Sequence, residues 1–172
     1  SYFSIISRDL RRFLNARNNL DNMPLGSGAF AGVTIPIDRE YLASELGFSN
    51  ISSNSIDGVS SRDHILDILY SCSSIMINLS RISEELIIWN SEEFDFVNIP
   101  DEFTTGSSIM PQKRNPDYLE LIRGKTGHSL GQLVNLATSL KGLTFTYNRD
   151  LQEDRKGAMD SIEIVTQSLE VI

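Results

Sequence analysis

One segment of the 172-residue chain concentrates polar groups that suit an anion. Residues 104–117 read TTGSSIMPQKRNPD, which places hydroxyls, a glycine, two cations and an amide just before a predicted helix. The backbone N–H groups of a Gly-Ser-Ser turn, the positive end of the following helix, and the side chains of Lys113 and Arg114 all favour a carboxylate or a phosphate. The spacing therefore predicts an anion site, with an ordinary solvent-exposed loop as the alternative.

Helices must position this segment. Apolar residues recur three and four positions apart, which predicts a first helix from about Phe3 to Asp21, a short one at 38–46 and a long one at 60–90. Asp38 and Gly47 are typical of the two ends of the short helix, and Ser60 predicts the start of the long one. A loop over 91–116 follows. No segment has the pattern of a convincing β-strand, so the sequence predicts an all-α, long-helix bundle.

The apolar positions also predict which helix faces are buried. In the long helix they are Ile65, Ile68, Cys72, Ile75, Leu79, Ile82, Leu86 and Trp89. In a helix from Asp117 to about Gly142 they are Leu119, Ile122, Leu130, Leu133, Leu136 and Leu140. In a last helix from about Arg149 to Ile172 they are Met159, Ile162, Val165, Leu169 and Ile172.

Composition excludes several classes of function. With 15 Lys and Arg against 23 Asp and Glu the net charge is −8, which disfavours nucleic acid as a partner. Cys72 is the single cysteine, so an intrachain disulfide framework and a cysteine-rich zinc site are excluded. No run approaches about 18 apolar residues, and we expect a cytoplasmic chain without a membrane partner. The first residue is Ser1, which suggests a piece of a longer protein.

Residues 106–115, GSSIMPQKRN, resemble the GSSxMPxKxN signature of the fumarase/aspartase superfamily of lyases. PLGSGAFAG at 24–32, NSIDGVSSRD at 54–63 and the segments 110–127 and 141–154 resemble the argininosuccinate lyase and delta-crystallin family. The resemblance covers most of the chain from about residue 10 onward. It implies that residues 1–172 form a single region, the central helical portion of a longer lyase without its N-terminal and C-terminal domains. It also implies a tetrameric helical core.

The resemblance implies a carbon–nitrogen lyase that cleaves argininosuccinate to arginine and fumarate without a cofactor or metal. Ser107 matches the catalytic serine as the base that removes a proton, with a histidine base and a serine acid as the alternative assignment. Lys113 matches the lysine that stabilises the aci-carboxylate, and Ser108 and Asn115 match substrate-binding positions. Glu120 matches the glutamate that pairs with the catalytic histidine.

Further matches concern the arginine half of the substrate. Tyr147 and Gln152 match residues that contact it, and Arg155 stands where the family usually has lysine. The histidine-bearing segment of the family has no counterpart, because His64 and His128 lie elsewhere and are predicted to be surface or packing residues. The activity of the parent enzyme and that of this chain alone are therefore separate questions.

Several alternatives stay open. Another lyase of the superfamily, such as adenylosuccinate lyase, would share the serine loop. A noncatalytic, crystallin-like structural protein could retain the same residues, and a helical oligomerisation module would need no ligand. Asp57 and Arg62 could belong to the substrate pocket or could organise the turn before the long helix. The predicted partners are argininosuccinate, fumarate, arginine and further copies of the chain in a homotetramer with shared sites.

Overall fold

A computed structural model describes residues 1–172 and shows an all-α protein, as predicted. The six helices are α1 (Tyr2–Leu20), α2 (Arg39–Leu46), α3 (Ser55–Ser60), α4 (Asp63–Trp89), α5 (Asp117–Leu140) and α6 (Asp154–Val171). Short 3₁₀ helices occupy Asp101–Phe103 and Arg149–Glu153, and two-residue strands occupy β1 (Thr105–Gly106) and β2 (Arg114–Asn115).

Helix α4 is the centre of the bundle and packs against α1, α5 and α6. Helix α1 runs antiparallel to it: the amide of Asn19 donates to Asp67 at 2.7 Å near one end, and Tyr2 hydrogen-bonds Glu85 near the other.

Helix α5 is also antiparallel to α4, because Thr126 donates to the carbonyl of Met76 at 3.1 Å while Ser73 approaches the carbonyl of Ser129 at 3.3 Å. Helix α6 returns antiparallel to α5 and so lies parallel to α4.

The core lies where α4, α5 and α6 meet. The apolar face predicted for α4 is confirmed in its middle, where it forms most of the core. Nine buried residues form this cluster: Cys72, Ile75, Met76, Leu79, Ile82, Leu119, Ile122, Ile164 and Val165.

The short helix α2 is confirmed at both ends. The Asp38 side chain accepts a hydrogen bond from the backbone N–H of Tyr41 at 2.9 Å, and Gly47 closes the helix with a φ of 77°. A left-handed φ of this kind favours glycine because it has no side chain to clash with the backbone.

The predicted start of the long helix was wrong. Residues 55–60 form the separate helix α3, and the Ser60 hydroxyl donates to the carbonyl of Ile56 at 2.9 Å instead of capping α4. Ser61 is extended, Arg62 has a non-helical φ of −133° and ψ of 17°, and the Arg62 guanidinium binds the carbonyls of Val59 and Ser61. Because these carbonyls accept from a side chain, the helix breaks there and α4 begins at Asp63.

The apolar face predicted for α6 was also mostly wrong. Met159, Ile162 and Leu169 are exposed, and only Val165 of the residues predicted for this face is buried. The face towards the bundle instead contains small residues, namely Gly157, Ser161 and Ser168, together with Ile164. Small residues allow helices to approach closely, and a Cβ built on Gly157 would lie 2.6 Å from the side-chain oxygen of Gln132.

A smaller difference concerns α5. Leu119, Ile122 and Leu136 are buried as predicted, but Leu130 is exposed. Leu130 is therefore not part of the core of this chain.

Helix α4 is long and apolar enough to span a membrane if only length and composition are considered. In its most apolar window, 44% of the residues are buried inside the protein. The core helix of a bundle meets the same criteria, so this property is weak support for a membrane span.

The helices separate the connecting segments into two groups. The loop over 90–116 lies where α4 ends and α5 begins, and we call this the serine-loop end. Residues 21–62 and 141–153 lie at the other end, where α5 ends and α4 and α6 begin, and we call this the Arg62 end. Helix α5 has 24 residues, so the two ends are about 36 Å apart along its axis.

Candidate active site

The signature segment 106–115 is the connection of a short β-hairpin. Thr105 pairs with Asn115 and Gly106 with Arg114 in antiparallel register, although the sequence has no strand pattern here. The Thr105 hydroxyl hydrogen-bonds the carboxylate of Asp117, the first residue of α5. The hairpin is thereby attached to the N-terminus of the helix that follows it.

Within this hairpin the Ser107 oxygen accepts two backbone hydrogen bonds. The N–H groups of Ile109 and Met110 both lie 3.3 Å from Ser107 Oγ. Donors that converge on one oxygen stabilise negative charge on it. The two donors therefore stabilise the alkoxide form of Ser107 relative to that of a serine without such donors. A serine that acts as a base requires this stabilisation.

The other predicted residues of the loop lie on the same hairpin. Ser108 and Lys113 are exposed, and Asn115 is half-buried in β2. The backbone N–H of Lys113 donates to the carbonyl of Met110 at 2.9 Å, which closes a turn between the serine and the lysine. One compact loop therefore presents a hydroxyl pair, an ammonium group and an amide to solvent.

Glu120 lies beside the loop, in the first turn of α5. Its carboxylate is 3.9 Å from Arg123, whose guanidinium also pairs with Glu84 of α4. Glu120 lines a groove of about 550 Å³ between α5 and α6. It is thus open to a group that enters from outside the chain.

The predicted residues for the arginine half come together at the Arg62 end. The Gln152 amide donates to the Tyr147 hydroxyl at 3.0 Å. Both side chains and Arg155 line a cavity of about 400 Å³, together with Arg62, Leu151 and Asp154.

The backbone before Tyr147 is held in an uncommon conformation. Thr146 has a φ of 79°, which is rare for a β-branched residue. The Asn148 amide donates to the carbonyls of Thr144 at 2.9 Å and Thr146 at 3.2 Å and so stabilises this turn. This turn immediately precedes Tyr147, which lines the cavity.

Arg62 is a residue of this cavity whose role the sequence left undecided. Its Nε lies 2.5 Å from a carboxylate oxygen of Asp154, across 92 positions of the sequence. The sequence offered two signals, a cation near the start of the long helix and an acid in the LQED segment. No pattern of neighbouring residues indicated that these two side chains pair.

The two groups of predicted residues do not meet within one chain. Ser107, Ser108, Lys113, Asn115 and Glu120 belong to the serine-loop end, while Tyr147, Gln152 and Arg155 belong to the Arg62 end. The length of α5 separates them.

Neither histidine lies in the serine loop. His64 is in the first turn of α4 beside Arg62, where burial, and then the charge of Arg62, lower its pKa. His128 lies on α5 and its ring nitrogen is 3.4 Å from the Gln132 amide. No group of three or more His, Cys, Asp or Glu side chains is arranged to hold a metal ion.

Comparison with known proteins gives both a family and close relatives. A family model described as "Lyase" matches residues 1–131. The argininosuccinate lyase of Clostridium novyi (strain NT) is 54% identical over 172 residues, which are 100% of this chain and 39% of that protein. That of Sulfurihydrogenibium sp. (strain YO3AOP1) is 56% identical over 169 residues, which are 98% of this chain and 37% of that protein. The chain thus spans well under half the length of these curated relatives.

Solved structures agree with the fold. EDDS lyase in complex with formate matches with a TM-score of 0.84 and 30% identity, over 94% of this chain and 33% of that one. A variant of EDDS lyase with bound fumarate matches with the same TM-score, 29% identity and the same coverage. Helical architecture, signature loop and relatives agree, and the chain belongs to the lyase family, within the argininosuccinate lyase group of the fumarase/aspartase superfamily.

Proposed function

We propose that this chain is the part of an argininosuccinate lyase that carries the serine loop. The enzyme would cleave argininosuccinate to arginine and fumarate. One observation carries the proposal: Ser107 Oγ accepts two backbone N–H groups within the signature hairpin of a chain that is 54% identical throughout to an argininosuccinate lyase.

The reaction is a β-elimination. A base takes a proton from the carbon next to a carboxylate, and the electron pair moves onto that carboxylate as the aci-carboxylate. The pair then forms the carbon–carbon double bond of fumarate as the carbon–nitrogen bond breaks. The nitrogen keeps the electrons of the broken bond, takes a proton from a general acid and leaves as part of arginine. Because negative charge develops on the carboxylate, fixed positive charge nearby accelerates the reaction.

The hairpin has groups suited to these steps. Ser107 acts as the base, since its oxygen is stabilised by two N–H donors. Lys113 neutralises the developing charge, and Ser108 and Asn115 hold the carboxylate. The fumarate bound to the EDDS lyase variant supports fumarate as the shared product of this fold.

The remaining predicted residues complete the site from other positions. Glu120 pairs with a histidine that does not belong to residues 1–172, in the groove between α5 and α6. Tyr147, Gln152 and Arg155 bind the arginine half, with the broader guanidinium of Arg155 in place of the usual lysine.

The proposal includes a homotetramer whose sites combine loops from different subunits. Two observations support it. The two groups of site residues lie at opposite ends of α5, about 36 Å apart along the 24-residue helix. Outward faces of the helices also carry large apolar side chains, including Met159 on α6 and Phe3 on α1.

The test is fumarate release at 240 nm from argininosuccinate by the natural gene product that carries this sequence. We expect release by the wild type and a loss of at least about 100-fold in kcat for Ser107→Ala. Ser139→Ala is the matched control, because Ser139 lies on α5 and bonds the Asn135 carbonyl, away from the loop.

Other outcomes would point to other functions. Activity on adenylosuccinate or EDDS but not on argininosuccinate would indicate another lyase of the superfamily. If the natural gene product released fumarate from none of these three substrates, that result would contradict the proposal and favour a crystallin-like structural role.

A further inference from the structure

Arg62 connects three elements at the Arg62 end of the bundle. Its Nε contacts Asp154 Oδ2 at 2.5 Å, at the first residue of α6. Its Nη1 donates to the carbonyl of Val59 at 3.1 Å, in the last turn of α3, and to that of Ser61 at 2.7 Å. One side chain therefore links the segment before α4 to the N-terminus of α6.

This contact is largely shielded from water. The side chains of Arg62 and Asp154 are 17% and 9% exposed. Each charge is compensated by the other, and two carbonyls next to the break between α3 and α4 are satisfied as well. A planar guanidinium can make these bonds simultaneously, whereas an ammonium group lacks the fixed fork.

Asp154 lies between two predicted substrate-binding residues. Gln152 precedes it by two positions and Arg155 follows it, and the Gln152 amide bonds the Tyr147 hydroxyl. Arg62, Asp154 and these three residues line the same cavity of about 400 Å³. A displacement of Asp154 would therefore move the Gln152 amide and the Arg155 guanidinium within the cavity.

We propose that Arg62 is a positioning residue, which holds Gln152 and Arg155 in place for the arginine half of the substrate through its bond to Asp154. The inference rests on the proposed function for the identity of the substrate. The anchoring of residues 149–155 by Arg62 does not depend on it.

Hydrogen exchange of the natural gene product tests the anchoring without any substrate. We expect Arg62→Gln to accelerate exchange of the backbone amides in residues 149–155 at least about tenfold, because an anchor of low-stability local structure is lost. The matched control is Arg39→Gln, since Arg39 likewise binds two carbonyls, those of Leu25 and Ser52, but does not contact α6.

Kinetics with argininosuccinate test the positioning. Arg62→Gln should raise KM about tenfold with a smaller change in kcat, because displaced binding groups weaken substrate binding before they affect the serine loop. Arg62→Lys keeps the charge and the contact to Asp154 but not the planar fork of the guanidinium. Its KM should therefore rise less than that of Arg62→Gln. Arg39→Gln should leave KM unchanged.

Arg62→Gln leaves the buried Asp154 carboxylate without its cation and could prevent folding. The double variant Arg62→Met with Asp154→Leu removes both charges and keeps an apolar contact, so it should fold and still show the raised KM.

The outcomes separate the two proposals. Unchanged exchange in 149–155 overturns the inference, and so does faster exchange without a rise in KM in folded variants. A wild type without fumarate release overturns the proposed function and the substrate part of this inference, while exchange still decides the anchoring.

Discussion

At the scale of single residues, burial determines the chemistry of Cys72. The side chain lies in the core of α4 without solvent exposure, and burial raises the pKa of its thiol to about 12. Because the thiolate is the reactive form, a native thiol of this kind is inert near neutral pH.

We therefore expect Ellman's reagent to label Cys72 only as fast as the protein unfolds, and at once in guanidinium chloride. Relative to the wild type, the Cys72→Ser variant should lose one thiol of signal in guanidinium chloride and none in native buffer. Labelling of Cys72 in the native protein within seconds would contradict the buried placement.

His64 makes stability depend on pH. Burial and the Arg62 charge lower its pKa in the native state, whereas Asp63, Asp154 and Asp67 act in the opposite direction. The unfolded chain binds a proton near the ordinary value of about 6.5, and the native state binds it only at lower pH. The contribution of neutral His64 to the free energy of unfolding is therefore fully present above about pH 6.5. It is lost as the pH falls through the pKa of His64 in the native state.

Urea unfolding at pH 7.5 and pH 5.5 measures this contribution. The wild type should have a lower midpoint at pH 5.5, and His64→Gln should reduce that difference. His128→Gln should retain it, because His64 is then unchanged. Equal differences in the wild type and His64→Gln would exclude the role of His64.

At the scale of elements, a buried carboxylate fixes the contact between α1 and α4. Asp9 has no exposed surface and accepts hydrogen bonds from Asn78 at 2.8 Å, Ser74 at 3.1 Å and Arg12 at 2.7 Å. Two of these donors lie on α4, so the carboxylate sets the register between the helices. The hydrophobic pattern of α1 contains no sign of this contact.

Asp9→Asn should lower the free energy of unfolding by about 1–3 kcal/mol, because an amide cannot accept all three bonds and leaves buried donors unpaired. The matched control is Asp67→Asn, which affects one exposed hydrogen bond between the same two helices. Urea denaturation compares the two variants. If Asp9→Asn lowered the free energy of unfolding as little as Asp67→Asn does, packing alone would set the register between the two helices.

At the scale of the whole molecule, the outward faces of the helices predict association. Met159, Ile162 and Leu169 are 66%, 40% and 44% exposed and lie three or seven positions apart on α6. Apolar side chains grouped on one helix face are typical of a surface that another chain covers.

Light scattering of the natural gene product should therefore give a mass well above that of one of its own chains. Ile162→Glu should shift the mass towards the monomer, because it places a charge in that face. Glu170→Lys, an exposed charge change on the same helix outside this group and outside the groove between α5 and α6, should not. A wild type that stays monomeric at high concentration would count against association through α6.

The sequence by itself determined the family, the all-α class, the extents of α1 and α2 and the middle of the buried face of α4. These features follow from local interactions such as helical periodicity, the Asp38 cap and the Gly47 terminus, and from a contiguous ten-residue signature. Local interactions act between residues close in sequence, so the order of residue types is enough to predict them.

Only the tertiary structure decided the break between α3 and α4, the buried face of α6 and the separation of the two groups of predicted site residues. The break depends on Arg62, which pairs with Asp154 across 92 positions. The buried face of α6 depends on how closely Gly157 and Ser161 let the helix approach its neighbours, and hydrophobicity does not encode that distance. These features arise from contacts between distant segments, which exist only once the helices have packed.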